Sequence, residues 1–152
     1  MSGADEPAPC FVDTNVLVYA AGGRDRRSPT ARQLLDDLME AGRFRTSVQV
    51  LQELYVTLTR RPRQMLEAQK AIGYLDWIAV CPVFTPDYRA VREAIQLSLR
   101  VNISYWDALI VMAAARSDAK VLYTEDLQHG QTIMGVEIVN PFVGTALPGN
   151  TA

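Results

Sequence analysis

The sequence predicts an α/β protein: one domain on a mainly parallel central sheet of about five strands flanked by helices. Three observations predict it. Short apolar runs alternate with helical patterns, several helix starts carry capping residues, and 152 residues with 49% hydrophobic content suit one globular core rather than two.

Residues 1–9 and 144–152 are rich in Gly, Pro, Ala, Ser and Thr without periodicity and read as mobile tails around a domain at 10–143. Strands are expected at Cys10–Asp13, Arg43–Thr46, Ala79–Phe84, Lys120–Thr124 and Glu137–Val139, where apolar residues cluster between turn signals. Ser28-Pro29 and Thr85-Pro86 each place a hydroxyl before a proline, the pattern of an N-cap and first helical residue, so helices are expected over 28–41 and 85–101. Ser104-Tyr-Trp-Asp107 resembles a capping box leading into Leu109, Ile110 and Ala113 on one face. Helical stretches over 47–60 and 64–78 fill the middle.

Composition narrows the function. No apolar run approaches the roughly 20 residues of a membrane span, and the start lacks a basic-then-apolar leader pattern, so a cytoplasmic protein with no membrane association is expected. Cys10 and Cys81 sit among Val, Phe and Pro with no second Cys or His at ligand spacing, which points to reduced core thiols. A net charge of −2 argues against holding nucleic acid by bulk charge. Between Arg24 and Lys70, however, ten basic residues face six acidic ones, leaving −6 for the remainder, so a basic face and an acidic site can coexist.

Four carboxylates stand out by position. Asp13 and Asp126 follow apolar strands, where parallel sheets bind ligands; Asp107 falls in the first turn of a helix and Glu53 within one. Clustered, they would repel one another unless a cation lay between them, and oxygen-only ligands favour Mg²⁺ or Mn²⁺ over zinc. Each also has an ordinary reading: Asp13 as a turn residue bonding the next backbone amide, Asp107 as a cap, Glu53 as a solvated residue on a polar face, Asp126 as a strand-to-turn acid.

The series Asp13-Thr-Asn15-Val-Leu-Val-Tyr19, Glu53 in Val-Leu-Gln-Glu-Leu-Tyr, Trp106-Asp107-Ala-Leu-Ile110 and Thr124-Glu-Asp126 resembles the ordered motifs of the PIN-domain ribonucleases, VapC-type toxins in particular, from about Cys10 to Phe142. The resemblance implies that Asp13, Glu53, Asp107 and Asp126 are the metal-binding catalytic acids, supported by Asn15 and Thr124. It further implies Mg²⁺- or Mn²⁺-dependent hydrolysis of RNA phosphodiesters, inhibition of translation, a cognate antitoxin and a homodimer. His129 stands where many members carry Phe, and as the lone histidine it reads as a surface residue.

No histidine or lysine is placed as a general base, so a water activated by the metal is the natural nucleophile. Arg60, Arg61 and Arg63 are candidate phosphate contacts, as are Arg24, Arg26 and Arg27; each set reads equally as a solvated face. Trp77, Trp106 and Tyr55 read as core rather than as base-stacking platforms. Two rival functions remain: an aspartyl-phosphate phosphatase, weakened because its second acid is Asn15 here, and a degenerate domain of this fold that binds RNA or protein without cutting.

Overall fold

The computed structural model describes residues 6–143; the C-terminal tail and residues 1–5 of the N-terminal one lie outside the described residues. Strands β1 (Cys10–Val12), β2 (Phe44–Ser47), β3 (Val83–Phe84), β4 (Val121–Tyr123), β5 (Thr132–Ile133) and β6 (Val136–Val139) form one sheet in the order β3-β2-β1-β4-β6-β5. All neighbours pair in parallel except β5 with β6. The sheet thus has one strand more than the sequence suggests, because a two-residue antiparallel edge has too few residues to show a period of two.

The chain lays β2 and β3 to one side of β1, then returns through α5 (Tyr88–Val101) and α6 (Tyr105–Arg116) to place β4 on the other. The strand order therefore reverses between β1 and β4, and their carboxyl ends splay apart into a crevice. Asp13 follows β1, and Thr124 and Asp126 follow β4, so the connectivity alone puts them side by side.

α1 (Thr14–Ala20) is not among the expected helices. What turns strand into helix is Asp13, whose Oδ1 accepts from the Thr14 amide at 2.7 Å as an N-cap. α6 begins after Ser104, whose hydroxyl accepts an amide of the first turn as expected, and α3 (Val48–Thr59) begins after Ser47, a cap that the expected stretch over 47–60 places inside the helix.

Other starts move. α2 (Ser28–Glu40) takes Ser28 inside the helix, where its hydroxyl donates to the Gly22 carbonyl. The cap of α5 is Asp87, not Thr85, its carboxylate accepting from Ala90 at 2.8 Å. α4 (Ala68–Ile78) begins four residues later than expected, and β3 keeps only two of six expected residues, leaving Cys81 half-buried outside the strand with its thiol against Met39 Sδ. Ala8 and Pro9, expected in a tail, already accept hydrogen bonds from Arg43 and Lys120.

The core joins Phe11, Phe44, Leu122 and Ile138 from the strands to Leu17, Leu54, Leu58 and Leu97 from the helices. α6 is buried continuously from Ala108 to Ala114 rather than on one face, because α5 covers one side while β2, β4 and β6 pack against another. Such all-round burial fixes the helix, and with it the position of Asp107 in its first turn. Trp77 and Trp106 are not core: they are 47% and 63% exposed.

Candidate metal centre

Asp13 is the deepest of the four acids, only 4% exposed. Its two oxygens are both held, Oδ1 by the Thr14 amide and Oδ2 by the Thr124 hydroxyl at 2.8 Å. The ordinary reading and the functional one therefore meet in one residue: Asp13 caps a helix and presents a buried carboxylate. Among the described residues no Lys or Arg pairs with any of the four acids.

Thr124 is buried and fully engaged. Its hydroxyl donates to Asp13 and accepts from Asn15 Nδ2 at 3.4 Å and from the Asp126 amide at 3.1 Å, the full capacity of a hydroxyl. One side chain thereby ties the ends of β1 and β4.

Glu53 is exposed to solvent, as its helical position suggests, yet it is not loose. Oε2 accepts from Thr14 Oγ1 at 3.1 Å and Oε1 from Gln49 Nε2 at 3.2 Å. The amide of Asp107 donates to the capping hydroxyl of Ser104; among the described residues its own carboxylate accepts nothing, so the capping box is only half formed.

Electrostatics bind the four together. Burial pushes Asp13 up from the ordinary carboxylate value of 3.8 to about 6, the hydrogen bonds from Thr14 and Thr124 oppose this, and the charges of Asp126 and Glu53 add to it. Asp126 is also raised, first by desolvation of its carboxylate and then by the charge of Asp107, against a stabilising bond from Asn15. Carboxylates from four elements thus feel one another across a single crevice.

A cleft of about 590 Å³ opens here, walled by Thr14, Asn15, Tyr19, Glu53, Arg60 and Asp126 among others. Asp13 and Asp107 are not part of its wall. Of the three arginines considered for phosphate contact, Arg60 lies at this cleft, and Arg61 and Arg63 flank a neighbouring depression that Arg60 also lines. His129 is exposed and accepts the Asn140 amide at Nδ1, pinning a loop to the end of β6.

Among the described residues no three Asp, Glu, His or Cys side chains converge as a finished metal cage. The donor set nevertheless suits a hard divalent cation. It is entirely oxygen, it concentrates negative charge that no cationic side chain offsets, and buried Asn15 Oδ1 has no hydrogen-bond partner. Enclosing an ion requires drawing carboxylates inward, and Asp107, which no hydrogen bond restrains, has the most freedom to comply.

Three contributors were not singled out from the sequence. Thr14 and Gln49 hold Glu53, and Gln49 could have been found from its position four residues before Glu53 on the same helix. Glu125, next to Asp126, accepts from the Tyr19 hydroxyl at 2.5 Å and pairs with Arg27 at 3.2 Å, while Arg27 lies over the Tyr19 ring and pairs with Asp25. This network fixes the loop carrying Asp126, and nothing local in sequence signals it.

A PIN-domain family profile matches residues 10–132, so the chain belongs to the PIN-domain family. The solved structures it resembles include the toxin VapC20 of Mycobacterium tuberculosis, described as cleaving the sarcin–ricin loop (22% identity, TM-score 0.61, covering 77% of this chain and 89% of that one). Others are a toxin–antitoxin complex from Klebsiella pneumoniae (19%, 0.64, 88% and 98%) and a DNA-bound VapBC complex from Salmonella typhimurium (17%, 0.63, 87% and 97%). At these identities the likeness establishes the fold. No curated protein sequence matches significantly.

The buried acids make a prediction about metal-free protein. Between 3.8 and about 6 the folded chain holds a proton on Asp13 that the unfolded chain has lost, so stability falls as pH rises through that window. At 1.36 kcal/mol per pKa unit the loss is about 3 kcal/mol. Asp126→Asn removes one of the repelling charges; it should raise the metal-free melting temperature at pH 7 yet reduce the further rise caused by Mn²⁺. Paired melting curves with and without Mn²⁺ check this: a lower metal-free melting temperature and an unchanged Mn²⁺ increment would make Asp126 an ordinary structural acid.

Proposed function

We propose that the chain is a divalent-metal-dependent endoribonuclease, the toxin of a toxin–antitoxin pair, acting in the cytoplasm to inhibit translation. The observation that carries this reading is Asp13, buried, paired with no cationic side chain among the described residues, and close enough to Asp126 and Glu53 to feel their charges, as Asp126 feels that of Asp107. Family membership and the toxins among its structural neighbours support it.

The four acids would hold Mg²⁺ or Mn²⁺, with Asn15 and Thr124 as supports. Such an ion supplies a more acidic water and neutralises charge developing on the scissile phosphate. The chain itself does the placing. Thr14 and Thr124 fix Asp13, Thr14 and Gln49 fix Glu53, and the Tyr19–Glu125–Arg27 network fixes the turn before Asp126. Asp107 remains free to orient the attacking water. Arg60 at the cleft, with Arg61 and Arg63 beyond it, offers phosphate contacts, and exposed Trp106 beside Asp107 offers a ring to an unstacked base. Single-stranded or looped RNA is the fitting substrate, because the family resemblance points there and a splayed strand exposes its scissile phosphate and unstacked bases.

Asn15 donates to Thr124 rather than supplying the second acid of a phosphatase. A domain that binds RNA without cutting predicts no cleavage at all, so the assay distinguishes it. Purified protein with Mn²⁺ should cleave RNA, and Asp107→Asn or Asp13→Asn should lower the rate by at least about a hundredfold with the fold intact, since amides are poor ligands for hard cations. Undiminished cleavage by folded Asp107→Asn contradicts the assignment. In the same preparation, replacing Arg60, Arg61 and Arg63 by Ala should flatten the salt dependence of RNA binding by about 2 in log–log slope, at about 0.7 per phosphate contact. An unchanged slope returns them to a solvated face.

A cognate antitoxin and a homodimer complete the proposal, the former supported by the complexes among the structural neighbours. Light scattering should give twice the chain mass at micromolar concentration; a monomer throughout that range would rule the homodimer out.

A further inference from the structure

Gln49 is unusual among the residues around the crevice. It is a polar side chain only 8% exposed, on the turn of α3 before Glu53, and its amide group reaches two elements at once. Nε2 donates to Glu53 Oε1 at 3.2 Å and to the main-chain carbonyl of Trp106 at 3.4 Å, while Oε1 is buried without a partner. Burying an amide with an unpaired oxygen costs roughly 1–3 kcal/mol, so an apolar residue would suit this position better if packing were its only task.

The two groups it joins are the pair that the rest of the string leaves apart. Asp126, Thr124, Asp13, Thr14 and Glu53 are linked in sequence by the Asp126 amide, the Thr124 hydroxyl and the Thr14 hydroxyl. Asp107 stands on α6, and no hydrogen bond of its carboxylate connects it to the others. Gln49 supplies the missing link: it grips Glu53 on α3 and the peptide immediately before Asp107.

We infer that Gln49 is a positioning residue that sets the separation between Glu53 and Asp107, and that the protein's affinity for its divalent cation depends on it. The inference rests on the proposed metal centre. Partners of this kind, one bond removed from the ligands, change metal affinity by roughly 10- to 100-fold when lost. Gln49→Met keeps the side chain's length and removes both donors. Gln49→Asn keeps the amide but shortens its reach by one methylene, and serves if the Met variant fails to fold.

The experiment is titration of metal-free protein with Mn²⁺, following free Mn²⁺ by its spin-resonance signal, alongside melting curves. Wild type should bind and Asp13→Asn should not. Gln49→Met and Gln49→Asn should bind at least about tenfold more weakly while their metal-free melting temperatures stay close to wild type. In a Glu53→Gln background, Gln49→Met should weaken binding less than it does in wild type, because part of its effect passes through Glu53. If wild type binds, Asp13→Asn does not, and folded Gln49 variants bind as wild type, the role of Gln49 is overturned and the metal centre stands. If wild type and Asp13→Asn bind alike, the centre itself is wrong and the inference falls with it.

Discussion

The structure turns on the bond between the Thr124 hydroxyl and the Asp13 carboxylate. It joins the ends of the two parallel strands between which the strand order reverses, and it does so with a buried carboxyl group that no Lys or Arg among the described residues pairs with. Because the hydroxyl also accepts from Asn15 and from the Asp126 amide, α1, β1 and the loop after β4 are all referred to one oxygen atom. The helix cap, the seam of the sheet and the acidic crevice are three aspects of one arrangement.

That arrangement opposes the stability of the metal-free chain. Desolvation raises Asp13, and Asp126 is raised both by desolvation and by the charge of Asp107. The surrounding core of Phe11, Phe44, Leu122 and the fully buried face of α6 must offset this. Groups that cost stability in this way are the kind that functional sites retain.

The sequence made the parallel sheet, most helices and the four acids legible, for different reasons. Ser104 announces its helix because capping is a contact within one turn. Asp13, Glu53, Asp107 and Asp126 could be named only through the order of their motifs, since each alone fits an ordinary structural role. α1 and the β5 edge were hidden because a seven-residue helix with an unbroken Val-Leu-Val run, or a strand of two residues, carries no decisive periodicity. The exposed tryptophans misled because ring size suggests burial, whereas Trp106 lies in the first turn of α6, ahead of its buried run at Ala108–Ala114. The bond from Gln49 to the Trp106 carbonyl and the Tyr19–Glu125–Arg27 network escaped because those partners are set by the fold, not by spacing.

Because burial raises Asp13, a cation bound beside it near pH 6 would displace a proton. Proton release on Mn²⁺ binding, measured by calorimetry near pH 6 in buffers of different ionisation enthalpy, tests it most directly. Release of about half a proton per ion is expected at that pH, since burial pushes Asp13 up to about 6, declining as pH rises toward 8. Binding with no proton release at pH 6 would contradict it.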